Sequence, residues 1–142
     1  MKIIIQTVPH KAQRYDTCGD WQFNDATGEL LITVSELRTP HASLLVAVHE
    51  LVEAMLCHQH GIDEADVDHF DRTWEAHNGY SEPGDDMAAP YYAEHQFACG
   101  IERLMAAELG VCWTEYEREI EALVWRHEDD RPYSARDLDV HE

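Results

Sequence analysis

Lys2 to Val8 is a run of β-branched and apolar residues, Trp21-Gln22-Phe23 alternates apolar with polar, and Leu30-Leu31-Ile32-Thr33-Val34 returns to strand-like composition. Between the last two runs, Asn24-Asp25-Ala26-Thr27-Gly28 supplies turn chemistry. Short apolar or alternating runs bounded by turn residues predict strands, here a small N-terminal antiparallel sheet of about three. From residue 40 the apolar spacing becomes helical. Thr39 followed by Pro40 has the form of an N-cap and first helical position. The stretch to about His58 is apolar nearly all round and closes at Gly61, which predicts a buried helix. A second helix is expected from Asp63 to about His77, stopped by Asn78-Gly79, and the segment Ser81 to Asp86 reads as a loop. Pro90 to Leu109, ending at Gly110, forms a third helix, and Thr114-x-x-Glu117 has the form of a capping box that opens a fourth, to about His127. A short sheet followed by about four helices is an α+β arrangement.

With 142 residues, 44% of them hydrophobic, the chain fits one domain with a real core. We place that domain at 1–128 and a polar C-terminal tail at 129–142. No apolar run approaches a bilayer span. The N-terminal Met1-Lys2-Ile3-Ile4-Ile5-Gln6 is too short for a signal peptide, so no membrane association and a cytoplasmic location are the expectation. Cys18, Cys57, Cys99 and Cys112 form no Cys-x-x-Cys pair and fit reduced thiols; Cys57 and Cys99 fall in apolar helical patterns and read as buried, inert ones.

Charge narrows the field further. The 29 acidic and 10 basic residues give a formal net charge of −19, which repels a phosphate backbone and argues against nucleic-acid binding. The same surface could present itself to a basic partner protein, although most acidic surfaces are only solvated faces. The aromatic residues Trp21, Phe23, Phe70 and Trp74 sit at strand or helix spacing without interleaved basic residues, so they read as core.

Ten histidines, several beside carboxylates, suit a borderline metal such as zinc. The sharpest constellation is His49-Glu50-Leu51-Val52-Glu53. His49 and Glu53, four apart on a helix, leave the same face about 6 Å apart along the axis, so both can reach one ion. Glu50 lies 100° round from His49, where it misses the ion yet can reach a water beside it, as a general base should. An ordinary polar pair on a helix surface would have the same spacing. Against that, Leu45, Val48, Val52, Met55 and Leu56 leave little solvated surface, and a buried histidine with two carboxylates needs partners. The third ligand is expected to be His95 on the third helix, with Glu94 and Asp71 as competitors or as carboxylates that orient a ligand. His58, His60 and His77 lie near helix ends, and His10, His41, His127 and His141 read as surface residues.

The stretch Leu45 to Glu53 resembles the active-site helix of the zincin metallopeptidases, with one departure: Glu53 stands where their His-Glu-x-x-His signature has its second histidine, making a His-Glu-x-x-Glu variant. A carboxylate is an acceptable zinc ligand but weakens the ion's Lewis acidity. In the glutamate-type zincins a downstream helix supplies the third ligand, which by resemblance favours the segment around His95. Over most of its length the chain is similar to uncharacterised proteins of tailed phages and prophages. Gln13-Arg14-Tyr15, Gly19-Asp20-Trp21, Val46 to Ala54, Glu82 to Asp86, Ala89-Pro90-Tyr91 and Ile101 to Leu104 carry that likeness. It implies a phage origin and a role in the cytoplasm of the infected bacterium.

Three functions compete. The first is a minimal zincin-like, metal-dependent hydrolase acting on a peptide or protein, with zinc on His49, Glu53 and His95 and Glu50 as base. The second, suggested by Glu50-x-x-Glu53 followed by Asp68-x-x-Asp71, is a magnesium-dependent nucleotide pyrophosphohydrolase. The third is an acidic, non-enzymatic phage protein that binds and inhibits a host protein and holds a structural metal.

Overall fold

The computed structural model describes residues 1–78 and 82–123. Three strands, β1 (Lys2–Val8), β2 (Gly19–Asn24) and β3 (Glu29–Ser35), precede four helices, α1 (Pro40–Gln59), α2 (Glu64–Asn78), α3 (Tyr92–Leu109) and α4 (Trp113–Ala122), so the fold is α+β as expected. The expected 129–142 tail and the expected extension of the fourth helix to about His127 lie outside the described residues.

The sheet corrects one expectation: it is mixed, not antiparallel. Its order is β1-β3-β2, with β2 antiparallel to β3 and β1 parallel to it, Ile3 beside Leu30 and Ile5 beside Ile32. The turn is the local one predicted, where Asn24 Oδ1 accepts from the backbone N–H groups of Ala26 and Thr27. The parallel pairing comes from residues 9–18, which carry the chain past the end of β3 before β2 begins. Gln13, 1% exposed, pins that crossing by donating to the carbonyls of Cys18 and Thr33 and to Ser35 Oγ. His10 joins the same anchor, its ring between Ser35 Oγ (2.7 Å) and Asp16 Oδ1 (2.8 Å), so it is not the surface residue its context implied.

Leu30, Ile32 and Val34 on β3 and Leu45 on α1 are fully buried, and they hold α1 against the sheet. Thr39 caps α1 through its side chain, which accepts from the Ala42 N–H at 3.1 Å, and Pro40 opens the first turn. The helix is less enclosed than its composition predicted, because Leu44 and Met55 on its outer flank are exposed. By length and composition alone α1 could cross a membrane, which the sequence expectation did not allow for; its mean hydropathy is 1.2 and 44% of that stretch is buried in the fold. The buried side of α1 packs between the sheet and α3, and there it carries His49 and Glu53.

Two further details differ from the sequence pattern. Asp63 precedes α2 and accepts from the Ala65 N–H, which moves the helix start to Glu64. Thr114 and Glu117 form no capping box; α4 begins at Trp113, with Cys112 as an N-cap that makes no side-chain bond, and Trp113 Nε1 donates to Glu117 within the helix. Tyr116 on α4 is buried and turns toward α3.

Candidate metal centre

The centre lies between the facing sides of α1 and α3. His49 and Glu53, four apart on α1, are 8% and 5% exposed. His95, 5% exposed, comes from the first turn of α3. His49 Nε2 is 3.1 Å from Glu53 Oε2 and 3.2 Å from His95 Nδ1, and His95 Nδ1 is 2.9 Å from Glu53 Oε2. Three atoms of a tetrahedral zinc site, each 2.0–2.1 Å from the ion, stand about 3.3 Å apart. The observed triangle, with sides of 2.9, 3.1 and 3.2 Å, is slightly tighter than that.

On the far side of the same two rings, Cys99 Sγ is 3.4 Å from His95 Nε2 and 3.9 Å from His49 Nδ1. This His-His-Cys group could bind a metal ion. Cys99 is half-buried, not the inert core thiol expected, whereas Cys57 is fully buried.

Outer partners fix the geometry. Glu102 Oε1 is 2.8 Å from His49 Nδ1, and its other oxygen accepts from the Tyr116 hydroxyl at 2.6 Å. Trp21 Nε1 on β2 donates to Glu53 Oε1 at 3.0 Å, leaving Oε2 for the histidines. A carboxylate on the far nitrogen of a ligating imidazole fixes its tautomer and raises its basicity. Backbone closes in on the third side: a Cβ on Gly84 would stand 2.5 Å from His95 Cγ, so the short turn Pro83–Asp85 can pass the ring only as glycine.

The electrostatics favour positive charge on or between the two rings. Burial should lower both imidazoles, but hydrogen bonds to Cys99, Glu102 and Glu53 hold His49 well above its ordinary value. For His95, contacts with Cys99 and Glu53 and the nearby charge of Glu82 overcome burial and raise it to about 11. Burial likewise disfavours the charged form of Glu53, yet its bonds to His49 and His95 pull it down to about 2. The Cys99 thiol, raised by burial, is drawn below its ordinary value by the same two histidines. Two protons on the rings, or one divalent cation between them, satisfy these anions.

A pocket of about 40 Å³ opens beside the triangle, lined by His49, Glu53 and His95 together with Glu50, Trp21 and Tyr91. A water needs at least about 10–15 Å³, so an ion with one or two waters fits. Glu50 sits against β2 so closely that a Cβ on Gly19 would stand 2.6 Å from its Cγ, and burial pushes its carboxyl well up. Of the residues singled out from sequence, His49, Glu50, Glu53 and His95 therefore meet at one place. Glu94 does not join them: its Oε2 is 2.8 Å from His60 Nδ1. His58 stacks on Phe23 with ring centroids 4.6 Å apart.

Asp71 lines the pocket but is held by hydroxyls, accepting from Tyr15 at 3.1 Å and from Tyr91. Burial raises its carboxyl from 3.8 to about 8 despite the bonds from Tyr91 and Tyr15, and the charges of Glu82 and Glu53 add to the rise. Between these two values the folded chain holds a proton that the unfolded chain has released. Folding then takes up a proton, and the associated stability, full below 3.8, is lost as pH rises through about 8. In metal-free protein we expect the urea-unfolding free energy to fall by about 2–4 kcal/mol from pH 5 to pH 8 on this account. Asp71→Asn, which imitates the protonated carboxyl, should be flatter by that amount, and an equal slope in the two proteins would refute the assignment.

Sequence inspection missed Cys99 and Glu102. Both were within reach: Cys99 stands four residues after His95, the spacing that singled out His49 and Glu53, and Glu102 follows at seven. Comparisons with protein-family models, with curated proteins and with solved structures find no match to this chain.

Proposed function

We propose that the protein is a minimal zincin-like hydrolase of phage origin, working on a peptide or protein substrate in the bacterial cytoplasm, with zinc held by His49, Glu53 and His95. The observation that carries this is the triangle of His49 Nε2, His95 Nδ1 and Glu53 Oε2 at 2.9–3.2 Å, open to a pocket that Glu50 also lines. The bound ion would supply Lewis acidity, polarising a carbonyl and making a water acidic enough to attack near neutral pH. Glu50, beside that space and outside the triangle, is pushed up by burial, and a divalent cation next to it would draw its carboxyl back down so that it could take the proton from the water and return it to the leaving amine. Glu102 and Trp21 keep the ring of His49 and the carboxylate of Glu53 in place.

Three of the four carboxylates that magnesium-dependent phosphate chemistry would use are otherwise engaged. Asp68 is paired with Arg14 at 3.1 Å, Asp71 is bonded by two tyrosines, and Glu53 is shared by two histidines. Nitrogen donors favour zinc over magnesium. These points support the first reading over the nucleotide pyrophosphohydrolase.

The test is a peptide library incubated with the protein and analysed by mass spectrometry. Cleavage should stop on chelation and return with about one equivalent of zinc per chain, while magnesium fails to restore it. Tight binding of one zinc with no cleavage of any peptide would overturn the hydrolase and favour a structural metal in an acidic binding protein. Hydrolysis of nucleoside triphosphates restored by magnesium would favour the phosphate chemistry.

A further inference from the structure

Each imidazole of the pair has donors on both sides. Toward the pocket, His49 Nε2 and His95 Nδ1 meet Glu53 Oε2; away from it, His49 Nδ1 and His95 Nε2 meet Cys99 Sγ. We infer that the histidine pair provides two mutually exclusive seats for a single metal ion, and that Cys99 draws thiophilic ions into the seat facing away from the pocket. This deepens the proposed function, since it takes the pocket-side seat as the working one.

The exclusion follows from counting lone pairs. A neutral imidazole has one bare nitrogen and one N–H. An ion in the pocket seat uses His49 Nε2 and His95 Nδ1, so the protons must sit on His49 Nδ1 and His95 Nε2. Acceptors wait for both: Glu102 Oε1 at 2.8 Å for His49, and Cys99 Sγ at 3.4 Å with Asp85 Oδ1 at 3.3 Å for His95. An ion in the thiolate seat needs the opposite tautomers, with protons on His49 Nε2 and His95 Nδ1. Those meet Glu53 Oε2 at 3.1 and 2.9 Å. Each tautomer pair is thus fully hydrogen-bonded, and moving the ion exchanges one satisfied set for the other. Filling both seats at once would require two imidazolate anions in a buried cluster that already holds Glu53 and Glu102.

Donor chemistry then sorts the ions. The pocket seat offers two nitrogens and an oxygen, which suits zinc. The other seat offers two nitrogens and a thiolate, with Glu102 Oε1 2.8 Å from one of those nitrogens; zinc accepts such a set too, but exchanging the carboxylate oxygen for a thiolate shifts the preference toward softer ions such as cadmium or copper(I). For metal–nitrogen and metal–sulfur bonds near 2.05 and 2.3 Å, nitrogen and sulfur stand about 3.6 Å apart, and the observed 3.4 and 3.9 Å bracket that. Cys99 does not line the pocket, whereas Glu50 does. A soft ion in the thiolate seat would fix the tautomers that close the pocket seat and so silence the site without entering the pocket.

The experiment titrates metal-free full-length protein with cadmium, following the ultraviolet charge-transfer band of a cadmium–thiolate bond, and with zinc against a chromophoric chelator. The wild type should show the band, saturating at about one cadmium per chain and displacing zinc one for one. Cys99→Ser should lose the band entirely while its zinc affinity stays within about tenfold. Glu53→Gln should keep the band while its zinc affinity falls by about 100-fold or more. No band in the saturated wild type would refute the thiolate seat. Two cadmium ions bound together would refute the exclusion, and loss of zinc with the band in Cys99→Ser would mean one seat that includes the cysteine. None of these results depends on turnover, so the peptide-cleavage test can fail while the two seats stand, or the reverse.

Discussion

His49→Ala is expected to purify without zinc and to unfold at much lower urea than the wild type even when both are metal-free. The first effect follows from position: His49 supplies a donor to either seat, so its loss leaves neither with two nitrogens. Changing a mere outer-shell partner costs about 10–100-fold in metal affinity, and loss of a ligand should exceed that. The second effect follows from burial. Glu53 and Glu102 are 5% and 7% exposed, and His49 bonds to both. Removing one partner from a buried ionic group costs about 3–5 kcal/mol, because the charges left behind have no water to turn to. Glu53 would retain His95 and Trp21, but among the described residues Glu102 would keep only the Tyr116 hydroxyl, so most of the penalty should fall on Glu102. The double variant His49→Ala/Glu102→Gln should therefore recover about 1–3 kcal/mol of the loss without recovering zinc. Elemental analysis and urea melts of the three proteins decide it. A His49→Ala protein carrying a full equivalent of zinc would refute the site outright.

How much of this was legible beforehand depended on whether the determining contacts were local. Thr39-Pro40 announces the start of α1 because an N-cap acts within its own first turn, and the four-residue spacing of His49 and Glu53 guarantees a shared face on any helix. The hairpin of β2 and β3 was equally local, written in Asn24 and the residues after it. The parallel strand was not: its place depends on Gln13 reaching Cys18, Thr33 and Ser35, contacts that no periodicity reveals. The same limit explains Thr114. Its spacing to Glu117 fits a capping box, but Tyr116 must reach Glu102, and the helix starts at Trp113. Cys99 was misjudged for a different reason, since an apolar context predicts burial and says nothing of a neighbouring histidine. Its spacing from His95 was the signal available, and Glu102, one turn further on, lies on the same face of α3.

Glu50→Gln should keep one zinc per chain and a nearly unchanged unfolding midpoint, yet lose about 10²–10⁴ in peptide-cleavage rate, the usual contribution of a positioned general base. Zinc is retained because Glu50 is outside the triangle and makes none of the bonds that hold His49, Glu53 or His95. The fold is retained because glutamine has nearly the same shape, which matters where Gly19 leaves no slack around the side chain. Stability should gain slightly, since burial and the nearby charge of Glu53 disfavour the ionised carboxyl of Glu50 and a neutral amide removes that cost. The pairing of outcomes is what discriminates. A rate loss with zinc lost as well would make Glu50 part of the metal's support and leave the base unidentified. An unchanged rate with zinc retained would remove Glu50 from the reaction. Only the separation of the two, full metal with little turnover, matches a carboxylate that faces the pocket beside the ion and handles the proton of the attacking water.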